Sequence, residues 1–209
     1  MTIHKEGRVF VILGAICTVY AFLEVKPFFY PLFIITIWIF YFFRNPQPHL
    51  PVNEKVMVSP ASGKVVLIQD VVPPKDYDLG DGPVTRVSIF LNIFDVHVNR
   101  SPVTGTILKT IYKKGQFLNA AFDRASEVNE SNTTVIEYKG KKMAVKQIAG
   151  VIARRIVCSV EEGQGVEKGE ELGIIRFGSR VDLYFHKVVK PYIQVGQKVR
   201  VGETAIYEI

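Results

Sequence analysis

The chain has 209 residues and a formal net charge of +6, a length that allows one ordinary core with an appendage or two small domains. Residues 1–50 carry four basic and two acidic side chains, which leaves only +4 on the other 159 residues. This modest charge suits an anionic membrane surface and gives no footprint for nucleic acid. Two cysteines, Cys17 and Cys158, argue against a disulfide framework and offer no metal-ligand spacing.

Two uncharged apolar runs, residues 9–23 and 28–43, open the chain and are separated by only four residues. Each is slightly shorter than the roughly 20 residues of a perpendicular span, so we predict a membrane-anchoring helical hairpin and linker over residues 1–50. Lys5 and Arg8 before the runs and Arg44 after them predict that both ends face the cytoplasm. A signal peptide or a soluble helical pair is the alternative. No small-residue cleavage site follows the first run, and both runs are apolar all round, which disfavours them.

A proline-rich linker, Asn45–Pro51, precedes a second domain predicted over residues 51–209. Short runs rich in β-branched and aromatic residues predict a mostly β domain, a β-sandwich or barrel with few short helices. The predicted strands are Lys55–Val58, Gly63–Asp70, Val84–Ile93, Thr106–Tyr112, Asn132–Tyr138, Lys142–Ala149, Arg154–Val160, Leu172–Phe177, Val181–Phe185 and Lys198–Val201. The only stretch with helical periodicity is Gln116–Ser126.

An internal repeat lies in the C-terminal part of this domain. Residues Gly163–Glu170 and Gly196–Glu203 share the pattern Gly-Gln-x-Val-x-x-Gly-Glu, 33 residues apart. Both copies resemble the hairpin turns of lipoyl- and biotinyl-carrier domains, in which each glycine serves a turn and the valine contacts the core. Neither copy has the modified lysine in its usual setting, so we interpret the repeat as architecture.

Between the two copies lies Phe177-Gly178-Ser179-Arg180, followed by Val181-Asp182. A lone Gly-Ser is more often a simple turn. This longer motif resembles the self-cleavage site of the phosphatidylserine decarboxylases in their short membrane-anchored form. The resemblance implies that the Ser179 hydroxyl attacks the Gly178 carbonyl and that the chain breaks into a β chain, 1–178, and an α chain, 179–209. Ser179 then becomes a covalent pyruvoyl cofactor that forms a Schiff base with the substrate, an electron sink that no ordinary side chain supplies.

A second motif, Asp95-x-His97-x-Asn99-Arg100-x-Pro102, resembles the histidine motif of the same family. Histidine exchanges a proton near neutral pH, and we assign His97 to protonating the carbanion or assisting cleavage. Asp95 either orients His97 or closes a turn. The longer bacterial forms have a second histidine where this chain has Arg100, which cannot act as a base but can bind a phosphodiester or carboxylate. Arg100 and Asn99 are therefore the predicted substrate-binding residues.

A third segment, Val58–Val65, resembles the family's Ser-Pro-Ala-Asp-Gly sequence but has Ser62 where the aspartate of the self-cleavage machinery stands. A hydroxyl cannot replace a carboxylate in taking a proton. Three explanations are open: an engineered change that traps the uncut precursor, a natural variant that uses another base, or a chain that never matures. We favour the first, because the rest of the motif set is present.

The resemblance implies decarboxylation of phosphatidylserine to phosphatidylethanolamine and CO2 at the cytoplasmic (inner) membrane of a prokaryote, with the catalytic domain facing the cytoplasm. The expected partners are phosphatidylserine and the bilayer, and an edge-rich β fold is compatible with a homodimer. Two alternatives stay open: a non-catalytic, membrane-tethered lipoyl-like β-barrel adaptor, and a decarboxylase of an archaeal-type ether serine lipid. A soluble amino-acid substrate is disfavoured by the apolar hairpin.

Overall fold

The computed structural model describes residues 2–120, 122–150, 155–176, 179–186 and 191–209. The chain divides into two units, Met1–Gln47 and Pro48–Ile209.

The N-terminal unit is a pair of helices with a short antiparallel strand pair at its base. Its elements are β1 (Thr2–Ile3), a 3-10 turn (Lys5–Gly7), α1 (Arg8–Leu23), a 3-10 turn (Lys26–Phe28), α2 (Phe29–Phe42) and β2 (Arg44–Asn45). Pro27 lies in the turn between the helices, where its fixed φ suits a first helical turn. By length and composition the helix Lys5–Leu23, with a mean hydropathy of 1.7, could cross a membrane, and the second apolar helix, Lys26–Phe42, is shorter.

Close backbone approach and a polar contact hold the two helices together. A Cβ atom on Gly14 would lie 2.9 Å from the Thr36 hydroxyl oxygen, so only glycine lets the helices come this near. The hydroxyl oxygens of Thr18 and Thr36 lie 3.0 Å apart. The predicted hairpin is thus present as two packed helices.

The second unit is built almost wholly from antiparallel strands. They are β3 (Val56–Val58), β4 (Gly63–Val71), β5 (Val84–Leu91), β6 (Val98–Arg100), β7 (Gly105–Lys113), β8 (Ser131–Tyr138), β9 (Lys141–Ala149), β10 (Ile156–Cys158), β11 (Gly165–Val166), β12 (Glu171–Ile175), β13 (Ser179–His186), β14 (Lys198–Val199) and β15 (Ala205–Glu208). The helical elements among its described residues are α3 (Ala125–Val128) and a 3-10 turn (Lys75–Tyr77). The mostly β prediction is confirmed.

Eight strands form one curled sheet in the order β11-β7-β8-β9-β13-β5-β4-β14. Two smaller sheets, β10-β12-β6 and β15-β3, complete the unit. Alternate residues of the large sheet point into one apolar core that includes Ile89, Val145 and Leu183. Strand β13 runs through the middle of the sheet with β5 and β9 as its neighbours.

The two repeat turns bind equivalent places on two equivalent strands. In each case the first glycine and the glutamine exchange backbone hydrogen bonds with a residue near the start of a long strand. The bonds run from Gly163 N to Ile107 O, Ile107 N to Gln164 O, Gly196 N to Val65 O and Val65 N to Gln197 O, at 2.8 to 2.9 Å. The repeat is therefore architectural within the described residues, as its sequence predicts.

The helix considered over Gln116–Ser126 is wrong except at its end, because among the described residues of this stretch the helix begins at Ala125. The segment folds back on itself instead: Gln116 N donates to Val128 O, and Glu130 N donates to Gln116 O. These long-range backbone bonds outweigh a weak local periodicity. All ten predicted strands exist with ends shifted by a few residues, although Arg154 and Phe177 lie outside the described residues. Strands β1, β2, β6, β11 and β15 were not predicted.

Candidate active site

Ser179 begins the central strand of the large sheet. It lies opposite Leu91 on β5 and Ala149 on β9. Because side chains alternate along a strand, Ser179 shares its face with the core residue Val181, while Arg180 points to the other face. Ser179 is 0% exposed, and its hydroxyl has no hydrogen-bond partner among the described residues. Gly178, the other half of the predicted cleavage site, lies outside the described residues.

His97 follows β5 through a tight turn that starts next to the Ser179 partner Leu91. The Asp95 carboxylate accepts the Asn92 N–H at 2.9 Å, and the Asn92 side chain accepts the Phe94 N–H at 2.8 Å. Asp95 therefore closes the turn, one of its two predicted roles. The buried His97 ring places Nδ1 3.0 Å from the Asp95 carbonyl oxygen. A carbonyl only accepts, so Nδ1 carries the proton, and Nε2 is the basic nitrogen of the neutral ring.

Asn99 connects the His97 strand to the large sheet across the core. The Gln147 side-chain amide donates to Asn99 Oδ1 at 2.9 Å. Gln147 lies opposite Val181 on the ladder, which places it diagonally from Ser179, within about 8 Å on the same face. The Asn99 Nδ2 group has no partner among the described residues. The Asn99 amide thus contacts β9, the strand that neighbours Ser179 in the sheet.

Arg100 has a backbone partner. It is buried, and its guanidinium donates to the Gly169 carbonyl at 2.8 Å. Burial lowers the pKa of Arg100, and the nearby Glu171 carboxylate opposes that shift. The contact braces the first repeat turn, so the structure gives Arg100 a structural partner in addition to its predicted role.

Ser62 lies at the other repeat turn. Its buried hydroxyl accepts the Val201 N–H at 3.0 Å. The equivalent residue at the first repeat turn is Thr104, whose hydroxyl accepts the Lys168 N–H at 3.1 Å. Ser62 therefore caps a turn, and the described contacts do not join its side chain to Ser179.

A buried ionic network on the opposite face of β13 was missed from the sequence. Arg180 donates to Asp182 at 2.6 Å, to Ser88 at 2.7 Å and to Asp123 at 2.8 Å. Arg86 also pairs with Asp123 at 2.9 Å. Alternating charged residues on a strand normally indicate a solvent-facing side. Here the segment between β7 and β8 covers that side, which no local pattern reveals.

The same network perturbs two ionisable groups. Partial burial raises the pKa of Asp123, but hydrogen bonds from Arg180 and Arg86 outweigh it, so the pKa lies below its usual range. Burial lowers the pKa of Lys146, partly offset by Asp182. The Lys146 ammonium donates to the Ser126 carbonyl at 2.6 Å and lines a cavity of about 410 Å³.

Within the residues that the structure describes, no group of three or more His, Cys, Asp or Glu side chains could hold a metal ion.

Sequence comparisons identify the family of this fold and site. Residues 35–207 match the family model described as phosphatidylserine decarboxylase. The chain is also 44% identical over 207 residues to the phosphatidylserine decarboxylase proenzyme of Cereibacter sphaeroides, and the match covers 99% of this chain and 89% of that protein. The chain therefore belongs to the phosphatidylserine decarboxylase family and is a decarboxylase.

Proposed function

We propose that the protein converts phosphatidylserine to phosphatidylethanolamine and CO2 with a pyruvoyl group made from Ser179. The observation that carries this proposal is the Ser179 hydroxyl, fully buried at the start of the central strand without a hydrogen-bond partner among the described residues. Burying a hydroxyl without a partner costs free energy, so such a group is commonly kept for chemistry.

The proposed maturation uses the chain's own atoms. The Ser179 oxygen attacks the Gly178 carbonyl carbon, and the amide nitrogen leaves that carbon to form an ester. Elimination releases Gly178 as a carboxylate and leaves a dehydroalanine at position 179. One water then displaces ammonia and leaves the ketone. The pyruvoyl group supplies the electron sink that carbanion formation requires.

His97 and Asn99 have complementary parts in the proposed reaction. Since His97 Nδ1 is committed to the Asp95 carbonyl, Nε2 takes a proton during maturation and returns one to the substrate Cα after CO2 leaves. Asn99 Nδ2 offers a buried donor to the substrate, and Arg100 remains the second proposed substrate-binding residue. Asp95 acts through the turn that holds His97.

The proposed location is the inner membrane of a prokaryote, with residues 1–50 as the anchor and residues 51–209 as the catalytic domain facing the cytoplasm. The apolar helix Lys5–Leu23 supports an anchor. A diacyl substrate stays in the bilayer, so a tethered enzyme meets it at the surface. The exposed edges of the β fold support a homodimer.

We further propose that Ser62 holds the chain as an uncut precursor. A carboxylate at this position would accept the Val201 N–H as the hydroxyl does and would add a proton acceptor that serine lacks.

Intact mass spectrometry tests maturation. In the Ser62→Asp protein we expect two chains whose summed mass equals the precursor plus one water minus one ammonia, with a carbonyl at the N-terminus of the smaller chain. Adding Ser179→Ala should abolish both cleavage and decarboxylation. A single uncut species in Ser62→Asp would contradict the trapped precursor and would favour a non-catalytic adaptor.

Assays of the cleaved protein with diacyl and diether serine lipids test the substrate. We expect CO2 release from the diacyl lipid. Turnover of the diether lipid alone would replace phosphatidylserine by the archaeal-type lipid, and full turnover with alanine at position 179 would refute the pyruvoyl mechanism.

A further inference from the structure

Four large apolar side chains are exposed on two loops at the end of the eight-stranded sheet where β13 begins. Ile93 and Phe94, in the turn after β5, are 36% and 58% exposed, and Leu118 and Phe122, between β7 and β8, are 36% and 65% exposed. We call these four side chains the apolar rim. Surface clusters of this kind commonly mark interaction sites.

The topology brings both loops to the Ser179 end of the sheet. Strand β13 begins at Ser179, where β5 and β9 end at its ladder partners Leu91 and Ala149. Adjacent strands lie about 4.8 Å apart. The loop that carries Ile93 and Phe94 leaves β5 at this end of the sheet. The segment that carries Leu118 and Phe122 leads into β8, whose first residues pair with the last residues of β9 at the same end.

The first loop holds its apolar residues on a fixed turn. Asn92 and Asp95 exchange hydrogen bonds across it, because Asp95 N donates to Asn92 O at 3.0 Å and Asn92 N donates to the Asp95 carboxylate at 2.9 Å. The Phe94 N–H donates to the Asn92 side chain. The backbone therefore holds Ile93 and Phe94 at the tip, where Ile93 is partly and Phe94 mostly exposed to solvent.

Buried side chains connect the second loop to the same end of the sheet. Asn129 donates to both Leu118 O and Ala149 O at 2.8 Å and accepts the Leu118 N–H at 2.9 Å. This side chain joins Leu118 directly to the ladder partner of Ser179. Phe122 is joined more loosely, through its carbonyl and Arg180, at 3.4 Å.

We propose that the apolar rim contacts the surface of a phospholipid bilayer, so that the lipid substrate reaches the Ser179 end of the sheet without passing through water. This inference rests on the proposed function, because that substrate resides in a bilayer. The second loop exposes the basic residues Lys114 and Arg124 together with the acidic residues Asp123 and Glu127. Because Asp123 is already paired with Arg86 and Arg180, the two basic side chains are available to an anionic bilayer surface. Bulky apolar side chains beside basic ones are the composition of membrane-surface contacts.

Activity on two forms of phosphatidylserine tests the contact. The Ser62→Asp protein would be compared with its Phe94→Ser and Phe122→Ser variants on vesicles of phosphatidylcholine, phosphatidylglycerol and phosphatidylserine, and on monomeric dihexanoyl phosphatidylserine. We expect the double variant to lose about tenfold in rate on vesicles and to keep its rate on the monomeric lipid. Val72→Ser, at a 78% exposed valine in another loop, should change neither rate.

A fluorescence measurement separates the rim from the proposed reaction. Cys17 and Cys158 would be replaced by serine, and an environment-sensitive dye attached to cysteine at position 94, 122 or 72. We expect the same vesicles to shift dye emission to the blue at 94 and 122 but not at 72, whether or not the chain decarboxylates lipid. Unshifted emission at 94 and 122, or equal losses of vesicle activity in Val72→Ser and the double variant, would overturn the contact.

Discussion

Two buried charged residues on β13, Arg180 and Asp182, are paired with each other. Arg180 is 1% exposed and Asp182 is 0% exposed, and each would be costly to bury alone. Arg180 meets two carboxylates and the Ser88 hydroxyl, while Ser126 donates to Asp182 at 2.6 Å. These bonds hold the residue next to Ser179 in one geometry.

Replacing Arg180 by methionine should destabilise the protein by about 3 kcal/mol, because removing one partner leaves the Asp182 charge buried. The exposed Asp123 side chain adds little, since water screens it. Far-UV circular dichroism during urea denaturation would measure the change in a Ser179→Ala background, where every variant stays a single chain. Arg200→Met, at an exposed ion pair with Glu203, is the control and should leave stability unchanged. Equal stability of the two variants would contradict the role of the network.

At the scale of elements, the second unit contains two copies of one arrangement. Ser59 and Ser101 each donate to a carbonyl two residues on, at 2.7 and 2.6 Å. Gly63 and Gly105 each leave so little room that a Cβ would lie 2.2 Å from a carbonyl oxygen of the neighbouring strand. Each long strand, β4 and β7, then has a bulge at the same distance from its glycine. The sequence repeat forms the two turns of this arrangement, and β4 and β7, to which the turns are hydrogen-bonded, form the rest.

The two turn caps are equivalent in position but differ in burial, which predicts unequal effects of removing them. Ser62→Ala and Thr104→Val each delete one hydroxyl that accepts a backbone N–H. Loss of the buried Ser62 bond should cost about 1 kcal/mol, whereas water can replace the exposed Thr104 hydroxyl, so its loss should cost less. Paired urea denaturation curves would measure both costs. All variants carry Ser179→Ala so that no chain is cleaved, and Ser62→Asp, which keeps an acceptor, serves as the conservative control. An equal or larger cost in Thr104→Val would contradict this effect of burial.

At the scale of the whole molecule, the buried side chain of Lys146 makes the free energy of unfolding depend on pH. Burial lowers its pKa from the ordinary value of 10.5, so above the lowered value the unfolded chain binds more protons than the folded one. Stability from this group therefore rises as pH increases towards 10.5.

The free energy of unfolding between pH 8 and 9.5, below the usual tyrosine range, should rise more steeply in the parent protein than in Lys146→Met. Lys142→Met, at a more exposed lysine of the same strand, should keep the parent slope. Urea denaturation at four or more pH values gives these slopes. Identical slopes in the parent and Lys146→Met would refute the assignment.

The sequence by itself determined the elements whose signals are local. Short runs rich in β-branched and aromatic residues predicted the β class. The two apolar runs predicted the helices α1 and α2, and the Gly-Gln-x-Val repeat predicted the turns. The Phe177–Arg180 and Asp95–Arg100 motifs predicted the family through their resemblance to its motifs, which are short and local in the sequence.

Only the tertiary structure decided which residues meet across long separations. The partners of Arg180, the link from Asn99 to Gln147 and the cap made by Ser62 join positions up to 139 residues apart, and no local pattern encodes such pairings. The segment between β7 and β8 took a folded-back form because its hydrogen-bond partners lie on other strands. The outer face of β13 became a buried ionic surface for the same reason: burial is a property of what packs above a strand.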